Sequence, residues 1–498
     1  MSESRFPWPK KIGFPLGIII FIAVLLAPVP AGLSAEAKRA GAVVILMAVW
    51  WLTETLPMAV TALVPLVLFP LLSVMDAGQT SRFYADPTIF LFIGGFMIAM
   101  AMQKWGLHKR LALYVISNVG ARPRALLAGF CMATAFISMW VSNTATAVMM
   151  LPIAMAVTSQ IGSDENAQTN RRFAQALMLG IAYSCSIGGV ATLIGSPPNM
   201  IFAGQSKALF PELGEVGFVR WFLFSFPLAL GFLFIVWIYL AFIVLGKTGG
   251  AFAGSKEAID RQIRSLGPWS KGEIGVMTVF LLTAVAWIWK ADLKMGDWVI
   301  PGWSALLSLK GVHDGTIAII AALVLFAAPV SLKKGEFLLD WESAVKLPWG
   351  VVLLFGGGFA LAESFRVTGL DAWLGSGLEI FKGVPPVYLV FGICLATTFF
   401  SELMSNTAQV TMLIPVLAAA SGVLGVHPYF LMIPATIAAS FSFMMPVGTP
   451  PNAVVFGSGY LTISKMAKTG VVLNLLGAVW ITLITFFLLE PVFGLSKN

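Results

Sequence analysis

Two short polar triplets interrupt an otherwise apolar chain: Ser142-Asn143-Thr144 and Ser405-Asn406-Thr407. Residues 125–163 contain no Asp, Glu, Lys or Arg, and residues 383–464 contain only Glu402. Ser, Asn and Thr are N-cap residues, and a helical pattern, Ala145 to Met150, follows the first triplet at once. The spacing therefore predicts a hairpin tip, with the second arm's helix starting at the triplet. The first backbone N–H groups of that helix lack intrahelical partners and sit at the positive end of its dipole. An oxyanion is the natural partner, and the hydroxyls and amide add short neutral donors. A lone triplet would serve equally well as helix-packing glue. Two copies, each accompanied by a second polar break, point instead to a binding site.

The second break is Gly195-Ser196-Pro197-Pro198-Asn199, matched by Gly448-Thr449-Pro450-Pro451-Asn452. Tandem prolines remove two backbone donors and force the preceding residue out of helical geometry. Each break therefore predicts two half-helices with free carbonyls between them, and carbonyls with hydroxyls suit a hard monovalent cation such as Na⁺. Ser138 and Ser401 lie one helical turn before the triplets, on the same face as Ser142 and Ser405, and offer further oxygens. The pattern is two cation-sized oxygen cages with an anion site between them. Glu402 has two readings. An intramembrane acid is a functional candidate that assists a cation or titrates; alternatively it lies near the hairpin's aqueous end or caps a helix. Its counterpart in the first half is Met139.

These motifs need elements to hold them. Gly94-Gly95-Phe96 recurs as Gly357-Gly358-Phe359, and Ser138 and the first triplet recur as Ser401 and the second, all at an offset of 263; Pro197-Pro198-Asn199 recurs at 253. The chain is a duplication. Apolar runs predict spans at about 13–30, 40–56, 58–74, 88–104, 173–194, 219–246, 272–289, 314–330, 348–365, 429–447 and 469–489. Hairpins at 123–160 and 386–422 have arms of about 17 residues, or about 25 Å as helix, short of the ~30 Å hydrocarbon core. They read as re-entrant. An odd number of crossings separates the copies, so the second is inverted, as in many secondary transporters. The expected organisation is an N-terminal helix (1–38), a first repeat (39–246), a cytoplasmic linker (247–271) and a second repeat (272–498).

Composition agrees. The chain is 58% hydrophobic and 11% charged with a mean hydropathy of +0.89, against about 25% charged residues in soluble domains. The lipid bilayer is its solvent. The net charge of +8 comes from short connections between apolar runs, so no nucleic-acid partner is expected. Alternating the loops puts 20 of the 31 basic residues on the side of the N-terminus, which makes that side cytoplasmic. Cys131, Cys185 and Cys394 lie in apolar runs without metal spacing; His108, His313 and His427 are scattered and read as interfacial. Gly249 to Lys256 has the wrong order for a phosphate loop. No catalytic arrangement and no organic cofactor are expected, which excludes a membrane-embedded enzyme.

The paired triplets, Trp50-Trp51-Leu52-Thr53-Glu54 and the segment from Ala439 through Val447-Gly448-Thr449-Pro450-Pro451-Asn452 to Val455 resemble the divalent anion/sodium symporter family. That family comprises sodium-coupled dicarboxylate and citrate carriers, and the likeness covers nearly the whole chain. It implies an all-α integral membrane fold of about eleven transmembrane helices plus two re-entrant hairpins. It also implies a homodimer in the plasma (inner) membrane, each protomer having a scaffold domain and a transport domain that moves as an elevator. It implies one Na⁺ site at Ser138, Ser142, Asn143 and the Gly195 carbonyl. The second would use Ser401, Asn406 and the carbonyls of Met404 and Gly448. Substrate would meet Ser142, Asn143, Thr144, Ser405, Asn406, Thr407, Thr449 and Pro450. The expected activity is Na⁺-coupled symport of a C4-dicarboxylate (succinate, fumarate or malate). The alternatives are a Na⁺-independent dicarboxylate exchanger and a symporter of citrate or sulfate. Loops Ala291 to Val312 and Gly162 to Asn170 are longer than the resemblance leads one to expect.

Overall fold

The structure, a computed structural model, describes residues 8–120, 122–160, 167–246, 255–295, 298–309 and 311–495. The start of the linker (247–254), most of the 162–170 connection and Arg5 lie outside the described residues.

In chain order the helices used below are α1 (Trp8–Leu26), α2 (Ala35–Leu52), α3 (Pro87–Lys104), α4 (Leu107–Ser117), α5 (Pro123–Ser138), α6 (Asn143–Gln160), α7 (Ala167–Val190) and α8 (Pro197–Leu209). They continue as α9 (Phe218–Ile238), α10 (Ser255–Ser265), α11 (Lys271–Ile288), α12 (Asp314–Ala327), α13 (Trp349–Thr368), α14 (Pro386–Ser401), α15 (Asn406–Leu424), α16 (Tyr429–Ala439), α17 (Pro450–Phe456) and α18 (Ile463–Phe493). Shorter helical turns fill the connections. Each expected span falls largely on helical structure except 429–447, which is helical only as far as Ala439. Among the described residues, seven helical stretches are long and apolar enough to cross a bilayer, α15 included. The other three hairpin arms are shorter than that.

The chain is not wholly α. Leu293–Met295 pairs antiparallel with Trp298–Ile300, and Pro329–Ser331 with Glu336–Phe337. Their strands, of two or three residues each, are too short for a hydropathy pattern to register. The linker contains α10, whose Ala258 and Ile259 are buried on its apolar face.

The two arms of each hairpin share contact with a third helix: α5 and α6 with α7, and α14 and α15 with α16. Each second arm also packs on the half-helix that follows the break in the other half, α6 on α17 and α15 on α8. In lipid the hydrophobic effect does not bring helices together, so small residues that allow close approach matter most. The repeated glycine pair does this. A Cβ on Gly94 would stand 2.5 Å from the Ala318 carbonyl carbon, where α3 crosses α12. A Cβ on Gly357 would collide with the Ala62 carbonyl oxygen.

Three ionic ties join the halves among the described residues. Lys104 of α3 pairs with Asp340 at 2.7 Å. Arg110 of α4 pairs with Glu273 of α11 at 2.6 Å, both side chains buried, and also donates to the carbonyls of Leu266, Gly267 and Pro268. At the third tie, Glu215 accepts from Lys207 of α8 at 2.6 Å and from His313 at 3.0 Å. His313 Nδ1 accepts the Gly315 N–H at 2.9 Å and so caps α12, a defined role for a residue that looked merely interfacial. The His313 hydrogen bond and Lys207, outweighing partial burial, lower the Glu215 pKa from 4.5 to about 2. A depressed carboxylate stabilises the fold above its unfolded pKa and loses that contribution as pH falls through the folded value. Thermal stability is therefore expected to decline from about pH 4.5 towards pH 2. Glu215→Gln should flatten that part of a melting-temperature profile. An unchanged profile would remove the tie from the account.

Candidate functional site

Both expected helix breaks are present. Helix α7 stops at Val190 and α8 resumes at Pro197; α16 stops at Ala439 and α17 starts at Pro450. The residues before the prolines are extended, Ser196 at φ −143°, ψ 137° and Thr449 at φ −140°, ψ 150°. That is the conformation a following proline imposes. The asparagine of each Pro-Pro-Asn then holds the unwound segment. Asn199 Nδ2 donates to the carbonyls of Gly189 (3.0 Å) and Thr192 (2.8 Å). Asn452 Nδ2 donates to Ser442 (3.1 Å) and Met445 (3.0 Å). In both halves the acceptors lie ten and seven residues back. The motif supplies both the break and its staple.

The first triplet behaves as an N-cap. Helix α6 begins at Asn143, and Ser142 Oγ accepts the Ala145 N–H at 3.3 Å. Behind the tip, Ser138, Asn143 and Gly195 come together. Ser138 Oγ lies 2.8 Å from the Cys185 carbonyl and 2.7 Å from the Asn143 amide. The same amide atom is 3.2 Å from the Cys185 oxygen and 3.3 Å from the Gly195 oxygen. Its neighbours are thus all oxygens. With the amide nitrogen inward the ring closes by hydrogen bonds; with Oδ1 inward, four oxygens converge, the neutral donor set that suits Na⁺. Gly189 makes room, since a Cβ there would collide with the Asn143 amide. Thr192 Oγ1 donates to the Met139 carbonyl at 2.5 Å and accepts the Gly195 N–H at 3.0 Å, which sets the break against the hairpin.

The second half is assembled differently. Ser401 Oγ donates to Gln409 Oε1 at 2.5 Å, not to Asn406, and Gln409 Nε2 donates to the Thr397 carbonyl at 2.9 Å. Ser405 caps α15 without a side-chain hydrogen bond. Asn406 Oδ1 and Thr449 Oγ1 are buried and have no hydrogen-bond partner. An unpaired buried polar atom costs about 1–3 kcal/mol, a cost that a ligand contact would remove. Met404 is part-buried in the hairpin turn, Thr407 is part-buried, and Thr144 and Pro450 are exposed.

Glu402 caps the unwound segment. Only 3% exposed, it accepts the Met444 and Met445 N–H groups, each at 2.9 Å, and Asn474 Nδ2 at 2.8 Å. A Cβ on Gly448 would stand 2.8 Å from its Oε2, so the carboxylate lies against a candidate cation ligand. Among the described residues no three His, Cys, Asp or Glu side chains cluster as a metal site.

The sequence reading missed the Cys185 carbonyl, Gly189, Thr192, Gln409 and Asn474. Gln409, one turn after Ser405, and Asn474, a lone amide in apolar α18, carry a polar signal that can be read; a helical carbonyl such as Cys185 carries none.

Comparisons with known proteins agree. The family model described as the sodium:sulfate symporter transmembrane region matches residues 10–493. A sodium-dependent dicarboxylate transporter, SdcS, of Staphylococcus saprophyticus is 40% identical, over 98% of this chain and 93% of that protein. Its namesake from Staphylococcus aureus is 39% identical, over 100% of this chain and 94% of that protein. Among solved structures, MtrF of Neisseria gonorrhoeae superposes with a TM-score of 0.58 at 12% identity, covering 97% of this chain and 95% of that one. YdaH of Alcanivorax borkumensis gives 0.53 at 13%, covering 97% and 98%. At those identities the two structures speak for the fold alone. The chain is a multi-pass membrane transporter and not an enzyme, and it belongs to the divalent anion/sodium symporter family.

Proposed function

We propose that this transporter couples Na⁺ entry to uptake of a C4-dicarboxylate such as succinate, fumarate or malate. The observation that carries this reading is the oxygen ring of Ser138, Asn143, Cys185 and Gly195 behind the first hairpin tip. The names of the relatives agree with it. In this reading Asn143 is shared. Its Oδ1 turns to Na⁺ while the N–H groups at the start of α6 remain for a substrate carboxylate. Neutral donors at Ser142, Thr144, Ser405 and Thr407 orient the dianion, and Asn406 and Thr449 contribute the polar atoms that lack partners. Bound Na⁺ offsets the negative charge. Because ion and anion each favour the other, the coupling is reciprocal.

The second cage, at Ser401, Met404, Asn406 and Gly448, belongs to the same proposal. So do inverted repeats divided at the linker, a cytoplasmic N-terminus, elevator movement of a transport domain, and a homodimer. These rest on the repeated motifs and the odd number of crossings between them, on the loop charges and on the resemblance. Ser138→Ala removes one oxygen from the first ring and is expected to raise the Na⁺ concentration for half-maximal uptake several-fold. A Na⁺ dependence like that of the wild type would remove Ser138 from the site.

A further inference from the structure

Helix α2 ends in a Schellman turn: the Glu54 N–H donates to the Trp51 carbonyl at 3.4 Å and the Thr55 N–H to that of Trp50 at 3.2 Å. Glu54 occupies its left-handed position, with φ 47°. Glycine is the residue that fits there without strain. A glutamate at such a position directs attention to its carboxylate. That carboxylate lies 3.6 Å from Lys10 Nζ, with the two side chains 58% and 36% exposed. Thr55 Oγ1 donates to the Lys10 carbonyl at 2.5 Å. The lysine backbone is thus pinned while its ammonium is held loosely.

This pair lines a cavity of about 180 Å³ whose opposite wall is Leu403 and Met404. Those two residues are the turn of the second hairpin, immediately before Ser405-Asn406-Thr407. Leu403 is 78% exposed, so the hairpin tip borders open space on this side. At ~30 Å³ per water the cavity has room for about six waters or a small organic anion. Neither hairpin contains a lysine or arginine between residues 125 and 160 or between 386 and 424. Lys10 therefore brings to the tip a positive charge that the hairpins lack.

We propose that Lys10 and Glu54 form a carboxylate-exchange gate beside the second hairpin tip, which helps the carrier to distinguish dianions. One substrate carboxylate replaces Glu54 on Lys10 as the anion passes, while the other is held at the hairpin. The return of Glu54 to Lys10 then frees the anion. A long, exposed ion pair contributes little by itself, so an incoming carboxylate displaces it readily. The inference rests on the anion-carrier reading above.

The test is succinate uptake by the full chain in proteoliposomes under an inward Na⁺ gradient. Glu54→Gly relieves the backbone strain and leaves Lys10 free. The melting temperature is expected to hold or rise, the KM for succinate to fall roughly 3- to 10-fold, and the maximal rate to fall with it. Glu54→Gln should reproduce the kinetic change without the gain in stability. Lys10→Gln should raise KM by a similar factor, weaken the preference for succinate over its monomethyl ester, and suppress the effect of Glu54→Gly. A Glu54→Gly protein that is more stable but kinetically unchanged would overturn the gate, as would a kinetic effect that persists beside Lys10→Gln. Absence of Na⁺-driven uptake by the wild type would overturn the transport reading itself and the gate with it.

Discussion

Asn143→Ala is expected to lower Na⁺-driven succinate uptake by at least about 100-fold, with protein abundance and melting temperature close to wild type. The magnitude follows from the contacts of the amide. Asn143 faces Ser138 Oγ and the carbonyls of Cys185 and Gly195 within 3.3 Å, and it is also the first residue of α6. Hydrogen bonds involving charge are worth about 1.5–3 kcal/mol each, and each 1.4 kcal/mol is about a factor of ten. Removing one cation ligand and one orienting donor together therefore exceeds 100-fold. Asn406→Ala is expected to act in the same direction, since its Oδ1 is buried without a partner in the structure and gains one only with ligand. Wild-type-like uptake in proteoliposomes by either variant would sink the corresponding site.

The second large effect is on stability. Arg110→Ala is expected to destabilise the protein by about 3–5 kcal/mol, because it leaves the Glu273 carboxylate buried without its cation. The Arg110 side chain is 3% exposed and that of Glu273 6%. The substitution also strands the carbonyls of Leu266, Gly267 and Pro268, which tie the end of the linker to α4. Replacing both partners, Arg110→Met with Glu273→Met, should recover most of the loss, since no unpaired charge then remains. Thermal unfolding of the purified variants decides it. A loss below about 1 kcal/mol for Arg110→Ala would mean that water reaches Glu273.

Much of this site was legible in the sequence because its signals are local. An N-cap triplet in an apolar run announces where a helix starts, and α6 and α15 start at Asn143 and Asn406. Tandem prolines announce where one stops and restarts, and the breaks precede Pro197 and Pro450 as expected. Remote partners were not legible. The carbonyl that Ser138 meets lies 47 residues away at Cys185, and nothing in a cysteine's identity marks its backbone oxygen. Both readings of Glu402 were open because its partners, Met444, Met445 and Asn474, are 42 or more residues away. The two halves also looked more alike than they are. Equal offsets suggested equal cages, yet Ser138 joins Asn143 while Ser401 joins Gln409, a partner with no glutamine counterpart in the first half. The β-ribbons are too short, and α10 lies in a stretch too polar, for hydropathy, the main signal for spans, to say anything about local structure.

The most direct test of Na⁺-coupled dicarboxylate transport is uptake of labelled succinate into proteoliposomes under inward Na⁺, K⁺ or choline gradients, with citrate and sulfate as competitors. Accumulation above equilibrium with Na⁺ alone, inhibited by unlabelled fumarate or malate far better than by citrate or sulfate, is the predicted result. Equal uptake under all three cations, dependent on dicarboxylate loaded inside, would contradict it and make the protein an exchanger.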